Sequence, residues 1–215
     1  VSPEDASYCA KFIFLLHDGE TPHFMTLQIC DLLVRSLIGL IFCSTEGEAA
    51  NLGVLLREVW IVLSKWRYDE KAYEEEAMSK KGFMIKGIGL PKQDYNKVYG
   101  KWHDRIWTVC KNGLKSNEYI HIRATLVVLS GIVGCFPKKF EAGQDCLESV
   151  AVLQADERQD IKAMANAYYA QLSKARDAGA WRKEDGGVWK DMALEKAKKL
   201  KEKLRGEKLK RQDEE

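Results

Sequence analysis

The stretch NEYIHIRATLVVLSGIVGC, residues 117–135, decides the fold class. Both of its candidate helical faces are apolar. Tyr119, Ile122, Leu126, Leu129 and Val133 line one side; Ile120, Ala124, Val127 and Gly131 line the other. Its β-branched content also suits a strand. Nearly twenty residues without a strong turn signal favour a helix, because strands usually stop within about 4–8 residues. A helix apolar on most sides lies buried between neighbours. This segment is therefore expected to be the most buried in the chain.

Working outward, the same helical spacing recurs. Phe136-Pro137 ends the central segment, and helices follow from about 138 to 153 and from Asp156 to about Asp177. On the N-terminal side, Asp94 is placed to cap a helix with the stripe Tyr95, Val98, Tyr99, Trp102, Ile106 and Val109, and Lys111-Asn112-Gly113 reads as its stop. Thr45-Glu46-Gly47-Glu48 has the form of a capping box, in which hydroxyl and carboxylate each satisfy an orphan amide. Behind it, Leu52, Leu55, Leu56, Val59, Val62, Leu63 and Trp66 form a strong apolar face. Ser2-Pro3-Glu4-Asp5 opens the first helix and Thr21-Pro22 the second. Asp69 caps a short acidic helix through Ala77 or Met78, and Gly82, Gly87, Gly89 and Pro91 mark a loop.

Start signals near 2, 21, 45, 69, 94, 117, 138 and 156 put two helices plus turns in roughly 40–48 residues, close to the ~40–47 of HEAT and armadillo repeats. The expected fold is all-α: stacked antiparallel helix pairs, a HEAT-like α-solenoid, over residues 1–177. Residues 178–215 are expected to form a linker and a basic C-terminal helix opened by Trp189, with Ala193, Ala197, Leu200 and Leu204 on a narrow seam.

Composition narrows the function classes. Hydrophobic residues make up 46% and charged residues 31% of 215, enough apolar surface for a conventional core. The longest uncharged run, residues 124–137, is short of the ~20 residues of a membrane span. With no initiator Met and no signal pattern at Val1, the chain reads as a fragment or a processed chain, any targeting signal lying outside it. The six cysteines form no Cys-x-x-Cys pair and read as reduced, buried thiols of an intracellular protein.

No catalytic, cofactor or metal constellation emerges. Gly87-Ile88-Gly89 lacks the third glycine of a dinucleotide loop, and Pro91 spoils a phosphate-cradling helix start. The histidines at 17, 23, 103 and 121 are isolated; His103 beside Asp104 points about 100° away from it on a helix. Glu74-Glu75-Glu76 reads as a solvated face, and Cys43 or Cys110 lacks a located base. The aromatic residues on the stripes read as core. Trp107, Trp181 and Trp189, off the stripes or in loops, are the candidates for partner contact.

The net charge of +2 hides an asymmetry. Residues 190–211 hold ten Lys and Arg against four Asp and Glu. Lys196, Lys198, Lys199, Lys201, Lys203, Arg205, Lys208, Lys210 and Arg211 are the candidate nucleic-acid contacts, through sequence-independent binding of RNA or DNA phosphates. The competing reading is a solvated helix partly neutralised by Glu195, Glu202 and Glu207.

Ser2-Pro3-Glu4-Asp5-Ala6 with Tyr8-Cys9-Ala10-Lys11-Phe12, then Leu16-His17, Thr21-Pro22-His23-Phe24 and Cys43 to Ala49, follow one family's blocks in its order. So do Tyr73-Glu74-Glu75-Glu76, Gly82-Phe83, Lys101-Trp102-His103 and Asn117 to Arg123. Over about residues 1–177 the chain resembles the C-terminal conserved region of the large scaffold subunit of the THO complex, the subunit usually numbered second. It departs at Glu76-Ala77-Met78-Ser79, where the family carries a Glu-Cys-Gly-Asn-like run, and after Gly179, where no counterpart aligns. The resemblance implies a nuclear, all-α, non-catalytic scaffold of the assembly that couples transcription to mRNA packaging and export. Its implied partners are other THO subunits and a DEAD-box RNA helicase, with nucleic acid at the C-terminal tail. The alternatives are a nucleic-acid-binding module working through the basic end, with no fixed role in such a complex, and an unrecognised enzyme.

Overall fold

A computed structural model of the chain describes residues 2–183. The elements are α1 (Pro3–Asp18), α2 (Thr26–Cys43), α3 (Glu46–Tyr68) and α4 (Glu70–Tyr73), which continues into a π-helical turn at Glu74–Met78. A 3₁₀ turn at Lys81–Phe83 and a hairpin of β1 (Met84–Ile85) and β2 (Ile88–Gly89) lead to α5 (Lys92–Leu114), α6 (Tyr119–Ile132), α7 (Phe140–Leu153) and α8 (Gln159–Asp177). The described residues are thus all-α apart from one small hairpin.

Local chemistry starts three of these helices as expected. The Ser2 hydroxyl accepts from the Asp5 amide while Asp5 accepts from the Ser2 amide, and Thr45 and Glu48 repeat that exchange at α3. Asp69 accepts from the Ala72 amide to begin α4. Other starts differ. Thr21-Pro22 lies in a turn, closed by the Phe24 amide donating to the Thr21 carbonyl, and α2 begins at Thr26. Helix α5 begins behind Pro91, which leaves Asp94 in the first turn rather than at the cap. The loop at Gly82–Pro91 contains the hairpin, with Met84 opposite Gly89. Its two-residue turn holds Lys86 and Gly87 at φ 51° and 80°, the positive pair of a type I′ turn.

Consecutive helices pack on each other at α5–α6 and α7–α8, but α1 and α2 do not form such a pair. Helix α1 barely meets α2 and lies instead on α3; α3 packs on α6; α6 also touches α2, α5 and α8; α7 packs on α8 and α5. In place of a regular run of stacked neighbours the arrangement centres on α3 and α6, where two glycines let the helices approach closely. A Cβ on Gly131 would sit 3.2 Å from the Gly53 Cα. Within α6, Ile122, Ala124, Thr125, Leu126, Val128, Leu129 and Ile132 are all buried. The stripe aromatics Trp66, Tyr95, Tyr99, Trp102 and Tyr168 are core residues, and Trp60 stacks on Tyr99 with ring centroids 4.9 Å apart.

The chain divides into Val1–Arg182 and Lys183–Glu215. The first unit runs past Asp177 because the chain turns back: the Arg182 amide donates to the Lys138 carbonyl at 2.7 Å and its carbonyl accepts from the Phe140 amide at 3.0 Å. The expected basic helix lies outside the described residues.

Candidate partner-binding surface

The residues that read as possible chemistry are engaged in holding helices together. His17 is 1% exposed. Its Nε2 donates to the Glu76 carbonyl at 2.7 Å, so its Nδ1 accepts from the Thr26 hydroxyl at 2.8 Å. Burial pulls its pKa below the ordinary histidine value, against the hydrogen bond to Glu76, which raises it. The Glu76 carboxylate takes Lys65 at 2.5 Å and Trp66 Nε1 at 3.0 Å, and the Lys65 bond holds it below the usual carboxylate range. Gly82 completes the node, since a Cβ there would lie 2.3 Å from Thr26 Oγ1. One node thus ties α1, α2, α3 and the π-helical turn. Within the acidic triplet, Glu74 and Glu75 face solvent.

His103 is fully buried, and its Nε2 accepts from the amides of Lys138 at 3.0 Å and Lys139 at 3.4 Å. That nitrogen therefore carries a lone pair already shared with the start of α7. Asp104 stands 3.8 Å from Nδ1 and pairs with Lys139 at 2.7 Å. Arg123 on α6 bridges Glu46 on α3 at 2.7 Å and Asp160 on α8 at 2.6 Å, and the Tyr119 hydroxyl also donates to Asp160. Cys110 is buried and its thiol is pushed far up, which removes the thiolate a nucleophile needs. Cys43 is exposed. Among the described residues no group of three or more His, Cys, Asp and Glu is placed to hold a metal ion.

Two of the three tryptophans expected to meet a partner are instead packed within the chain. Trp107 is 8% exposed between α5 and α7 and donates to Asp145 Oδ2 at 2.9 Å. Asp145 also takes Lys111 at 2.5 Å; burial pushes its carboxyl up, but the bonds to Lys111 and Trp107 outweigh that and leave it lowered. Trp181, also 8% exposed, lies over Gly143, where a Cβ would come within 2.5 Å of the ring, and meets Phe140 edge-on. Periodicity hid both positions: Trp107 faces a second neighbour of its own helix, and Trp181 folds back from a loop. Trp189 and the nine basic candidates, Lys196 to Arg211, lie outside the described residues.

What faces outward is apolar in patches. Tyr8, Phe12 and Leu15, at i, i+4 and i+7 on α1, are 65%, 41% and 65% exposed, with Tyr8 stacked on Phe12. Beside them Cys9 and Ala6 of α1, Leu40 and Cys43 of α2, and Leu52 and Leu55 of α3 line a cleft of about 320 Å³. A second groove, of about 560 Å³, runs between α2 and α5. The sequence shows the exposed α1 residues as apolar but does not separate them from core positions, and it carries no sign of either groove. No helix among the described residues is long and apolar enough to cross a membrane.

The family model Tho2, described as transcription factor/nuclear export subunit protein 2, matches residues 1–172. THO complex subunit 2 of Arabidopsis thaliana is 34% identical over 178 residues, covering 80% of this chain and 10% of the relative. THO complex subunit 2 of Homo sapiens is 30% identical over 186 residues, covering 80% of this chain and 12% of the relative. The Saccharomyces cerevisiae subunit is 26% identical over 178 residues. The chain spans about a tenth of the length of these relatives.

Proposed function

Because the chain belongs to the Tho2 family of transcription and nuclear export subunits, we propose that it is a non-catalytic scaffold segment of a THO-type complex in the nucleus. In this reading it holds sister subunits and an RNA helicase of the DEAD-box class, and it serves the coupling of transcription to mRNA packaging and export. The match across residues 1–172 carries the reading. The use of the polar motif residues supports it: His17, Glu76, His103 and Arg123 join helices to one another. Such a body offers outward apolar faces, the property a docking platform needs.

The test is a crosslinking map of the longer protein in its native assembly, with purification at rising salt. A scaffold keeps its sister subunits at high salt and crosslinks to them from residues within 2–183. An assembly in which this segment meets no subunit would overturn the reading.

The basic end favours a second activity in the same chain, phosphate contact with RNA or DNA, on the strength of its charge asymmetry. Deleting residues 190–215 then lowers the slope of log affinity against log salt by roughly 0.7–0.9 for each phosphate that the segment neutralises. An unchanged slope excludes that segment as the binding element.

A further inference from the structure

The groove between α2 and α5 has a floor and rims of different chemistry. Trp102 is 1% exposed at its base, with Leu27 and Val98 half-buried beside it, and Leu32 on the α2 rim is 58% exposed. Three cations border it: Arg35 on α2, and Lys101 and Arg105 on α5. One anion, Asp31, faces them. It accepts from Trp102 Nε1 at 2.9 Å and pairs with Arg35 at 2.6 Å, while Arg105 stands 3.8 Å away. The groove therefore carries a net charge of +2 around an apolar centre. Lys101 and Arg105 lie four residues apart, about 6 Å or one helical turn along α5.

From this we infer that the groove docks an acidic amphipathic helix of a partner protein, one with carboxylates a turn apart and a Leu, Ile or Phe between them. Carboxylates at i and i+4 match the spacing of Lys101 and Arg105, a third meets Arg35 across the groove, and the apolar residue covers Leu32. Charge complementarity selects an acidic partner, and the exposed leucine selects protein over nucleic acid. A phosphodiester chain satisfies the cations but leaves Leu32 in water, and the groove's one aromatic ring, Trp102, is too buried to stack on a base. The volume of about 560 Å³ falls within the ~300–1,000 Å³ of concave ligand clefts. The inference deepens the scaffold reading and rests on it, since it names the chemistry of one docked partner.

The experiment begins on the native complex with a zero-length carboxylate-to-amine crosslinker. The expected product joins Lys101 to an Asp or Glu of a partner subunit. A labelled synthetic peptide of that crosslinked segment is then titrated against the full chain and against Arg35→Glu with Arg105→Glu. Because Arg35 and Arg105 are 63% and 40% exposed, the folded signal by circular dichroism should persist, and the peptide affinity should fall at least tenfold. Lys101→Glu alone, which leaves the Asp31 pairs with Arg35 and Arg105 in place, should weaken it several-fold with the same folded signal by circular dichroism. Leu32→Asp should weaken the peptide while leaving the affinity for a 20-nucleotide single-stranded RNA unchanged. Lys101 crosslinking only within its own chain, or to no partner carboxylate, overturns the inference. So does a groove whose charge reversal abolishes RNA binding and spares the peptide. If the reversed variant still assembles with its sister subunits and keeps every crosslink, the groove proposal fails and the scaffold reading stands. If the unaltered segment meets no subunit at all, both fail.

Discussion

Gly113 lies in the last turn of α5 with its Cα against Thr125 of α6. A Cβ built there falls 2.0 Å from Thr125 Oγ1, 3.1 Å from its Cβ and 3.3 Å from its Cγ2, against ordinary contact of 3.4–4 Å. Thr125 has nowhere to go. It is fully buried, and its hydroxyl is held by donating to the His121 carbonyl at 2.7 Å. Gly113→Ala gains ~1 kcal/mol of helix propensity, but overpacking of this kind costs about 1–3 kcal/mol, and the short distance puts it at the upper end. A net loss of ~1–2 kcal/mol is expected, which for a chain of this size lowers Tm by roughly 2–4 °C per kcal/mol. Thr125→Ala alone should cost ~1–2 kcal/mol for the missing methyl and hydroxyl. In the double variant the alanine methyl occupies the vacated space, so the two losses should not add; a coupling of at least ~0.5 kcal/mol in favour of the double variant is expected. Urea unfolding followed by far-UV circular dichroism, with all four proteins measured together, reads the cycle. Strict additivity, or a Gly113→Ala variant more stable than the parent, would refute the α5–α6 contact on which the central packing rests.

His17 is neutral in the fold and its pKa is lowered by burial, so below about pH 6.5 the unfolded chain takes a proton that the folded chain refuses. Its contribution is whole above that pH and is lost as pH falls toward the folded value, at up to ~1.4 kcal/mol per pH unit; His17→Asn should flatten stability between pH 5 and 6.5 relative to the parent, and identical profiles would contradict the assignment. Leu126, fully buried in α6, should cost about 2–5 kcal/mol on mutation to Ala, and amides from Ile122 to Leu129 should exchange among the slowest; fast exchange there would remove α6 from the centre of the fold. Of the six unpaired thiols, the exposed Cys9 and Cys43 should label quickly in the native chain. Cys30, Cys135 and Cys146, pushed up by burial to about 12, 11 and 12, and Cys110 should label only on unfolding, so a third fast thiol would contradict that burial.

The local part of this structure is legible in the chain. The capping boxes at Ser2 and Thr45, the Asp69 cap and the apolar stripes of α3, α5 and α6 involve residues within a few positions of one another, where hydrogen-bond geometry and helical period act directly. Even the π-helical turn sits within the span expected for a short acidic helix. The local signal misleads where a distant partner redirects it. Thr21-Pro22 has the form of a helix start, yet Thr26 opens α2 close to the hydroxyl contact it makes with His17. Lys111-Asn112-Gly113 does mark the end of α5, which closes at Leu114, but the chain gives no sign that Gly113 is also kept bare by Thr125 lying against it.

What the sequence by itself determined, then, is an all-α chain, its helices and most of its core faces, together with the family to which the order of its motifs points. Which face meets which was decided only in three dimensions. Apolar stripes are nearly interchangeable in composition, and choosing among them depends on close approaches such as Gly53 on Gly131, and on long-range pairs such as Arg123 with Glu46 and Asp160. The same holds for the surface. Trp107 and Trp181 became core because α7 covers them, while Tyr8, Phe12 and Leu32 became surface because no described helix does. The charged groove between α2 and α5 exists only because packing sets Arg35 across from Lys101 and Arg105, residues separated by more than sixty positions in the chain.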